Sequence, residues 1–146
     1  MEPVKPQVFS VRRSEWLVES TALRNIRTAV FVIEQQVPED EEWDDMDPLC
    51  VHALAVDARG TAIGTGRLTP DGKIGRMAVL KDWRGQGVGK ALLQFLVQVA
   101  RERGLPECYM NAQSHALPFY ARHGFQVYGE EFMEAGIPHR CMRLRF

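Results

Sequence analysis

The sequence predicts a single α/β (α+β) domain, residues 1–146, built on a mixed, mostly antiparallel sheet. The 146 residues are 45% hydrophobic, which is enough apolar material for one core. Short apolar runs separated by turn residues predict an antiparallel meander over residues 50–79. Residues 74–103 then read as strand, glycine loop and amphipathic helix, a crossover that joins parallel neighbours.

Periodicity and turn residues place the elements of this fold, which has about six to seven strands and about four helices. Apolar positions at helical spacing predict a first helix from Thr21, with Ser20 or Thr21 as its N-cap, and Pro38 stops it. The other predicted helices cover residues 88–103 and 116–123, and the predicted strands cover residues 7–11, 50–57, 61–68, 73–79, 108–111, 125–128 and 139–146.

Charge and hydropathy exclude several classes of partner. The 18 Lys and Arg residues balance 19 Asp and Glu residues, and a net charge of −1 gives no general attraction to nucleic acid or anionic membrane. No apolar run is long enough to span a bilayer, and the first ten residues lack the apolar core of a signal peptide. We therefore expect a cytoplasmic protein.

The cysteines predict neither a disulfide framework nor a metal site. Cys50, Cys108 and Cys141 are widely spaced, and no Cys or His cluster has ligand spacing. Reduced, buried thiols are expected in this compartment. A covalent acyl-cysteine intermediate at Cys108 stays open as an alternative.

A glycine loop is the strongest chemical signal. Three glycines alternate from Gly85 to Gly89 where a helix begins, so unpaired N–H groups and the helix dipole form an anion cradle. A Walker loop is excluded, because only three residues separate Gly85 from Gly89 and Ala91 stands where that motif needs Ser or Thr. The third glycine of a dinucleotide fingerprint would fall at Lys90 or Leu92.

The pattern that remains, Arg-x-x-Gly-x-Gly at residues 84–89, resembles the pyrophosphate-binding signature of the GNAT superfamily of N-acetyltransferases. Residues 111–125, with a Phe-Tyr pair and a closing Gly-Phe, resemble the second conserved block of that superfamily. Residues 31–38 and 134–139 are similar to its ElaA-like branch. Together the matches cover nearly the whole chain.

The resemblance implies acetyl-CoA as cosubstrate, bound in a gap between two splayed, parallel central strands. Arg84 is equally consistent with a surface cation, and His115 with a helix cap. The implied cofactor-binding residues are Met77, Ala78 and Val79 for the pantetheine amides, Arg84, Gly85, Gln86, Gly87, Val88, Gly89 and Lys90 for the pyrophosphate, and Asn111 and His115 for the lower arm of the cofactor.

The resemblance also implies direct acetyl transfer to a primary amine in a ternary complex, without a metal. Tyr120 stands where the family's general acid usually sits, and a hydroxyl with a near-normal pKa could protonate the leaving thiolate. Tyr120 could instead only pack in the core. For the base, Glu34, His139 and a water relayed to the acidic segment remain alternatives.

The acidic segment, residues 39–47, is the most negatively charged stretch of the chain. Most of its carboxylates are expected in a solvated loop. In the alternative interpretation one or two of them, with Glu42 and Asp45 as candidates, face the acceptor site and attract a cationic amine. The acceptor would be a small molecule or a peptide amine.

Two other functions stay open at the level of sequence. One is an acyl-CoA-binding or sensing module without turnover, and the other is an interaction protein whose acidic segment docks a basic partner. His52 and His123 are interpreted as structural or surface residues. The apolar alternation of residues 141–146 would allow the last strand to pair across a homodimer.

Overall fold

The computed structural model describes residues 7–146, which form seven strands and four α-helices. The strands are β1 (Phe9–Ser14), β2 (Val51–Asp57), β3 (Ala62–Leu68), β4 (Ile74–Val79), β5 (Glu107–Gln113), β6 (Gln126–Glu134) and β7 (Ile137–Arg145). The helices are α1 (Trp16–Arg27), α2 (Glu39–Glu42), α3 (Val88–Glu102) and α4 (Leu117–Ala121), and a π-helical segment, Thr28–Glu34, continues α1.

The strands form two antiparallel sheets, ordered β1-β2-β3-β4 and β5-β7-β6. The parallel neighbours β4 and β5 meet at a single bridge, between Lys73 and Tyr109, where the Tyr109 N–H donates to the Gly72 carbonyl over 3.1 Å. Beyond this bridge the two strands are no longer hydrogen bonded to each other. The predicted mixed sheet with splayed central parallel strands is confirmed.

Helices cover both faces of the larger sheet. The predicted apolar stripe of α3 buries Val88, Leu92 and Leu96 in the main core, together with Ala53 of β2. Leu54, the next residue of β2, packs in a second core beneath α1. Because successive side chains of a strand point to opposite faces, α1 and α3 lie on opposite sides of the sheet.

The first helix starts earlier than predicted, at Trp16, so neither Ser20 nor Thr21 is its N-cap. The helix bends at Glu19, whose backbone is not helical (φ −120°, ψ 21°). The Glu19 carboxylate accepts two hydrogen bonds from Arg12, of 2.6 and 2.7 Å, and one from Ser14 of 2.9 Å. These hydrogen bonds connect the first turn of α1 to β1 and stabilise it, and helical periodicity alone did not predict that turn.

Strand β6 of the last hairpin, Gln126–Glu134, is much longer than the predicted strand 125–128. Glu134 pairs with Ile137 across a two-residue turn of Ala135 and Gly136, which both have positive φ (+52° and +75°), as a type I′ turn requires. The sequence did not reveal this turn, because Ala rarely adopts positive φ. Strand β7 lies between β5 and β6 and pairs with β6 as far as Arg143, so the edge that residues 141–143 would offer to a second copy is already used, and the homodimer stays a prediction.

A buried cluster of three arginines and three carboxylates ties the acidic segment to the sheet. We call it the arginine–carboxylate cluster, and its members are Arg27, Arg67, Arg76, Glu42, Asp44 and Asp47. Arg27 is 1% exposed, bonds Glu42 and Asp47 over 2.7 Å each, and lies between the rings of Trp16 and Trp43. The equal numbers of opposite charges make the cluster neutral.

Replacing Arg27 by Met should lower the free energy of unfolding by about 3–5 kcal/mol, because Glu42 and Asp47 would lose their shared partner while buried. The matched control is Arg12→Met, which removes the half-exposed pair with Glu19 and should cost less than about 1 kcal/mol. Urea unfolding of both variants measures the difference. Equal losses would contradict a structural role for the cluster.

Candidate active site

A cleft opens where β4 and β5 part, and it holds a cavity of about 460 Å³. Residues of α2, α4 and the β6–β7 hairpin also bound the cavity. The lining residues are Phe31, Val37, Glu41, Glu42, Lys73, Ile74, Gly75, Arg76, Met77, Met110, Asn111, Ala112, Gln113, Tyr120, Glu134, Ala135, Ile137 and His139. The cavity therefore draws its walls from both sheets.

A bulge in β4 shapes the β4 wall. Thr65 pairs with Ala78 and Arg67 pairs with Gly75, so the two residues Arg76 and Met77 lie opposite one residue of β3. Arg76 has φ +52°, an uncommon conformation for a residue with a side chain. Bulges bend a strand and change the direction of its side chains, and this one lies where β4 leaves β5.

The pairing of β4 with β3 decides which peptide groups of β4 are already hydrogen bonded within the sheet. The Leu80 N–H donates to the Ile63 carbonyl over 2.9 Å. Because bonded pairs alternate along an antiparallel ladder, the peptide groups of Ala78 also point to β3, whereas those of Val79 point away from it, and the Val79 carbonyl accepts a hydrogen bond from Arg84 Nε. Met77 lies in the bulge, where the ladder is interrupted. Of the three predicted pantetheine contacts, Ala78 is thus the one whose groups the sheet already uses.

The glycine loop leads into α3 as predicted. Gly85 and Gly87 have φ of +77° and +87°, and a Cβ atom on either would meet open space. No side chain caps α3, so the N–H groups of Val88, Gly89 and Lys90 have no partner within the helix. This arrangement can receive an anion.

Two predicted site residues, Glu34 and Arg84, bind each other instead of lining the cavity. Arg84 donates two hydrogen bonds of 2.6 Å to the Glu34 carboxylate, and its Nε donates to the Val79 carbonyl over 3.0 Å. The hydrogen bonds from Arg84 lower the pKa of Glu34. The guanidinium therefore joins the end of the π-helical segment to the start of the glycine loop.

Tyr120 lies on α4 with its ring in the core and lines the cavity. Its side chain packs edge-on against Phe119 and Phe125, and its hydroxyl forms no hydrogen bond with any of residues 7–146. Burial raises the pKa of Tyr120 to about 12, which corrects the expectation of a near-normal value. The hydroxyl therefore stays protonated at neutral pH.

His139 enters the cavity from β7 and is 7% exposed. Its Nδ1 lies 2.7 Å from the Ile137 carbonyl oxygen, which can only accept, so Nδ1 carries a proton. The other nitrogen, Nε2, lies 3.4 Å from Glu134 Oε2, and the ring stacks on Phe132. In the neutral ring Nε2 thus holds the free lone pair.

The remaining predicted positions divide between the cavity and the surface. Asn111 lines the cavity and accepts a hydrogen bond from the Cys141 thiol over 3.3 Å. His115 is exposed in the turn before α4 and lies outside the lining. Cys108 is fully buried away from the cavity, and burial raises its pKa to about 11, so the acyl-cysteine alternative has no support.

Five of the seven carboxylates of the acidic segment are exposed, in agreement with the prediction that most of them are solvated, and the two exceptions are Glu42 and Asp47. Glu42 and Asp47 are buried in the arginine–carboxylate cluster, and Glu42 also lines the cavity. Burial raises the pKa of Glu42, opposed by the charges of Arg76 and Arg27. Asp45, the other candidate, is exposed and outside the lining.

Sequence reasoning missed Glu134, Arg76 and Gln113. Glu134 opens the run 134–139 that carried the family resemblance, but only His139 was selected from it. Gln113 forms a reciprocal amide pair with Gln35, with hydrogen bonds of 2.8 and 3.4 Å across 78 residues of sequence. No local pattern could reveal a pair at that separation.

No helix of residues 7–146 is long and apolar enough to cross a membrane. No three His, Cys, Asp or Glu side chains in that range are grouped so that they could hold a metal ion.

Comparison with known proteins gives one consistent result. The model of the acetyltransferase (GNAT) domain matches residues 24–146. The uncharacterized N-acetyltransferase YjcF of Bacillus subtilis is 40% identical over 121 residues, which cover 80% of this chain and 86% of that protein. An acyl-CoA N-acyltransferase from Pseudomonas aeruginosa has a TM-score of 0.83 at 32% identity, covering 94% of this chain and 99% of that one. Escherichia coli ElaA has a TM-score of 0.83 at 26% identity, covering 93% and 99%.

The open anion cradle can be tested by charge alone. Any side chain at Gly87 is strained by the φ of +87°, so Gly87→Asp and Gly87→Asn should lose similar stability. Only the Asp carboxylate would compete with a phosphate for the free N–H groups. We expect the Kd for acetyl-CoA to be at least about tenfold higher for Gly87→Asp than for Gly87→Asn. Equal dissociation constants by calorimetry would contradict the cradle.

Proposed function

Because the chain belongs to the GNAT family of acetyltransferases, we propose that it transfers the acetyl group of acetyl-CoA to a primary amine by direct attack in a ternary complex. One observation carries the proposal. Tyr120, a group that can donate a proton, and His139, a group that can accept one, line the same cavity. That cavity opens where β4 presents unpaired peptide groups.

The cosubstrate would lie along the gap between β4 and β5. The peptide groups of Met77 and the N–H of Val79 suit the pantetheine amides, because they could make the hydrogen bonds that a neighbouring strand would otherwise make, whereas the Val79 carbonyl is used by Arg84. The unpaired N–H groups at the start of α3 suit the pyrophosphate. Arg84 is already bonded to Glu34 and Val79, so the loop backbone is the proposed phosphate ligand.

In the proposed step the neutral amine nitrogen attacks the thioester carbonyl carbon. The C–N bond forms, the C–S bond breaks, and the electron pair leaves with sulfur. His139 Nε2 takes a proton from the attacking nitrogen, and the Tyr120 hydroxyl gives a proton to the departing thiolate. Solvent then returns the proton from His139 to Tyr120, so the products are an amide and free CoA.

His139 is the better supported base among the three that the sequence left open. Its Nδ1–H is held by the Ile137 carbonyl, which fixes the tautomer and leaves the Nε2 lone pair free. The Glu34 carboxylate is saturated by Arg84, and its lowered pKa makes it a weak base. We therefore propose that Glu34 positions the glycine loop and takes no proton.

The other two functions receive no support from a specific feature. This chain belongs to a family of acyltransferase enzymes, and Tyr120 and His139 would be unnecessary in a module that only senses acyl-CoA. Three of the seven carboxylates of the acidic segment, Glu42, Asp44 and Asp47, are bonded to arginines, so less of its charge is free for a basic partner than the composition suggests.

Tyr120→Phe should lower kcat for CoA release by about 10²-fold, because the leaving thiolate loses its proton donor. The aromatic packing remains, so the Kd for acetyl-CoA should not change. Tyr128→Phe is the matched control, since Tyr128 lies outside the cavity. A Tyr120→Phe enzyme with wild-type kcat would exclude the acid role.

The pH profile gives a second check on Tyr120. An acid must be protonated to act, and a pKa of about 12 keeps Tyr120 protonated well above the pH at which an ordinary tyrosine ionises. The kcat/KM profile of the wild type should therefore show no descending limb below about pH 10.5. A fall near pH 10 that disappears in Tyr120→Phe would show an ordinary tyrosine pKa instead.

His139→Asn should also lower kcat by about 10²-fold, because an Asn amide can still donate to the Ile137 carbonyl but offers no imidazole lone pair. The control is His123→Asn, at a position outside the cavity. Steady-state rates at several pH values compare the two. If His123→Asn loses as much activity as His139→Asn, the base assignment fails.

A further inference from the structure

Positive and negative side chains lie on different walls of the cavity. The β4 wall contributes Lys73 and Arg76, the β6–β7 hairpin contributes Glu134 and His139, and α2 contributes Glu41 and Glu42. Glu42 is already shared by Arg27 and Arg76, and Glu41 is exposed to solvent. Cations on β4 thus face an acidic hairpin across one cavity.

Arg76 has hydrogen-bond donors that no described residue uses. Its Nε is buried and lies 3.2 Å from Glu42 Oε2, but it is not aligned to donate a hydrogen bond. Its Nη2 makes only long hydrogen bonds, of 3.2 Å to the Glu42 carbonyl and 3.4 Å to Asp44. Its Nη1 donates none within residues 7–146, so part of the guanidinium fork remains available.

The other two arginines of the cluster are different. Arg27 and Arg67 make carboxylate hydrogen bonds of 2.7 to 2.9 Å and are almost fully buried. Arg76 is 27% exposed at its side chain and is the only one of the three that lines the cavity. The unused donors therefore lie where a ligand can reach them.

Lys73 adds a second cation to the same wall. No carboxylate of residues 7–146 lies within 4.0 Å of its ammonium group. An unpaired ammonium and an unsaturated guanidinium on residues that line one cavity favour an anion bound between them.

The backbone at Arg76 supports a role for its side chain. A non-glycine residue in the left-handed region costs about 1–2 kcal/mol, and glycine would avoid this cost. Such strain persists when the surrounding structure requires that side chain in that place. Here the bulge turns the guanidinium toward both the cluster and the cavity.

We propose that the acceptor is an amine that also bears an anionic oxygen group, a carboxylate or a phosphate. Arg76 and Lys73 bind that group, while Glu134 receives the ammonium end beside His139. This inference rests on the proposed function, because it names the substrate class of the same site. It also replaces the idea that the acidic segment selects a purely cationic acceptor.

The test is the binding of matched amines to the enzyme saturated with CoA, which cannot turn over, by isothermal titration calorimetry. One pair is a linear amino carboxylic acid and its amide, and the other is an aminoalkyl phosphate and the corresponding amino alcohol. Several chain lengths of each are used. The wild type should bind the anionic member at least about tenfold more tightly, and the larger ratio identifies carboxylate or phosphate.

Arg76→Gln should reduce this preference by about 10–100-fold and Lys73→Gln by about 3–10-fold, with little change for the neutral members. Arg59→Gln, which removes an exposed cation from the β2–β3 turn, should leave the preference unchanged. Lys73 lies outside the cluster, so its variant remains informative if Arg76→Gln unfolds. Retained preference in both variants would overturn the assignment.

CoA release from acetyl-CoA with the same amines separates the two proposals. Preferred binding of the anionic amines without release would contradict the transferase function but support the subsite. Efficient acetylation of neutral amines, with no preference for the anionic members, would overturn the subsite and leave the transferase function intact. Failure of every anionic amine to bind would also overturn the subsite.

Discussion

Strands β4 and β5 share only one bridge, at Lys73 and Tyr109, and the candidate site depends on that constraint. The bulge at Arg76 and Met77 then directs β4 away from β5, so the edge of β4 that includes Met77 and the Val79 N–H faces a gap. A backbone donor or acceptor buried without a partner costs about 1–3 kcal/mol. The gap therefore favours a ligand that carries amide groups and can lie along the strand.

The arginine–carboxylate cluster holds the opposite side of that gap. Arg27 fixes α1 to the segment around Glu42 and Asp47, and Arg67 and Arg76 fix the same segment to β3 and β4. These arginines balance three of the seven carboxylates of the acidic segment, and the other four remain exposed. The cluster also gives the cavity one incompletely bonded guanidinium, which makes it part of the candidate acceptor site as well as a structural support.

The two groups proposed for proton transfer are prepared in different ways. Tyr120 is held by aromatic neighbours and by burial, which raises its pKa and keeps it a donor. His139 is held by one hydrogen bond to a main-chain carbonyl in its own strand, which fixes the tautomer that leaves Nε2 free. Glu34 is held by Arg84 and so serves the glycine loop instead.

The sequence by itself determined the meander, the glycine loop and the apolar stripe of α3, because each is written in spacing over a few neighbouring residues. Tyr120 and His139 were selected by the resemblance of residues 111–125 and 134–139 to the family. Only the tertiary structure decided which of these residues share a cavity. The Arg84–Glu34 pair spans 50 residues and the Gln35–Gln113 pair spans 78, so neither is visible in local periodicity. The burial of Glu42 likewise depends on Arg27 and Arg76, which lie 15 and 34 residues away in the sequence. Local patterns specify elements, whereas charge pairing and burial are properties of the assembled sheets.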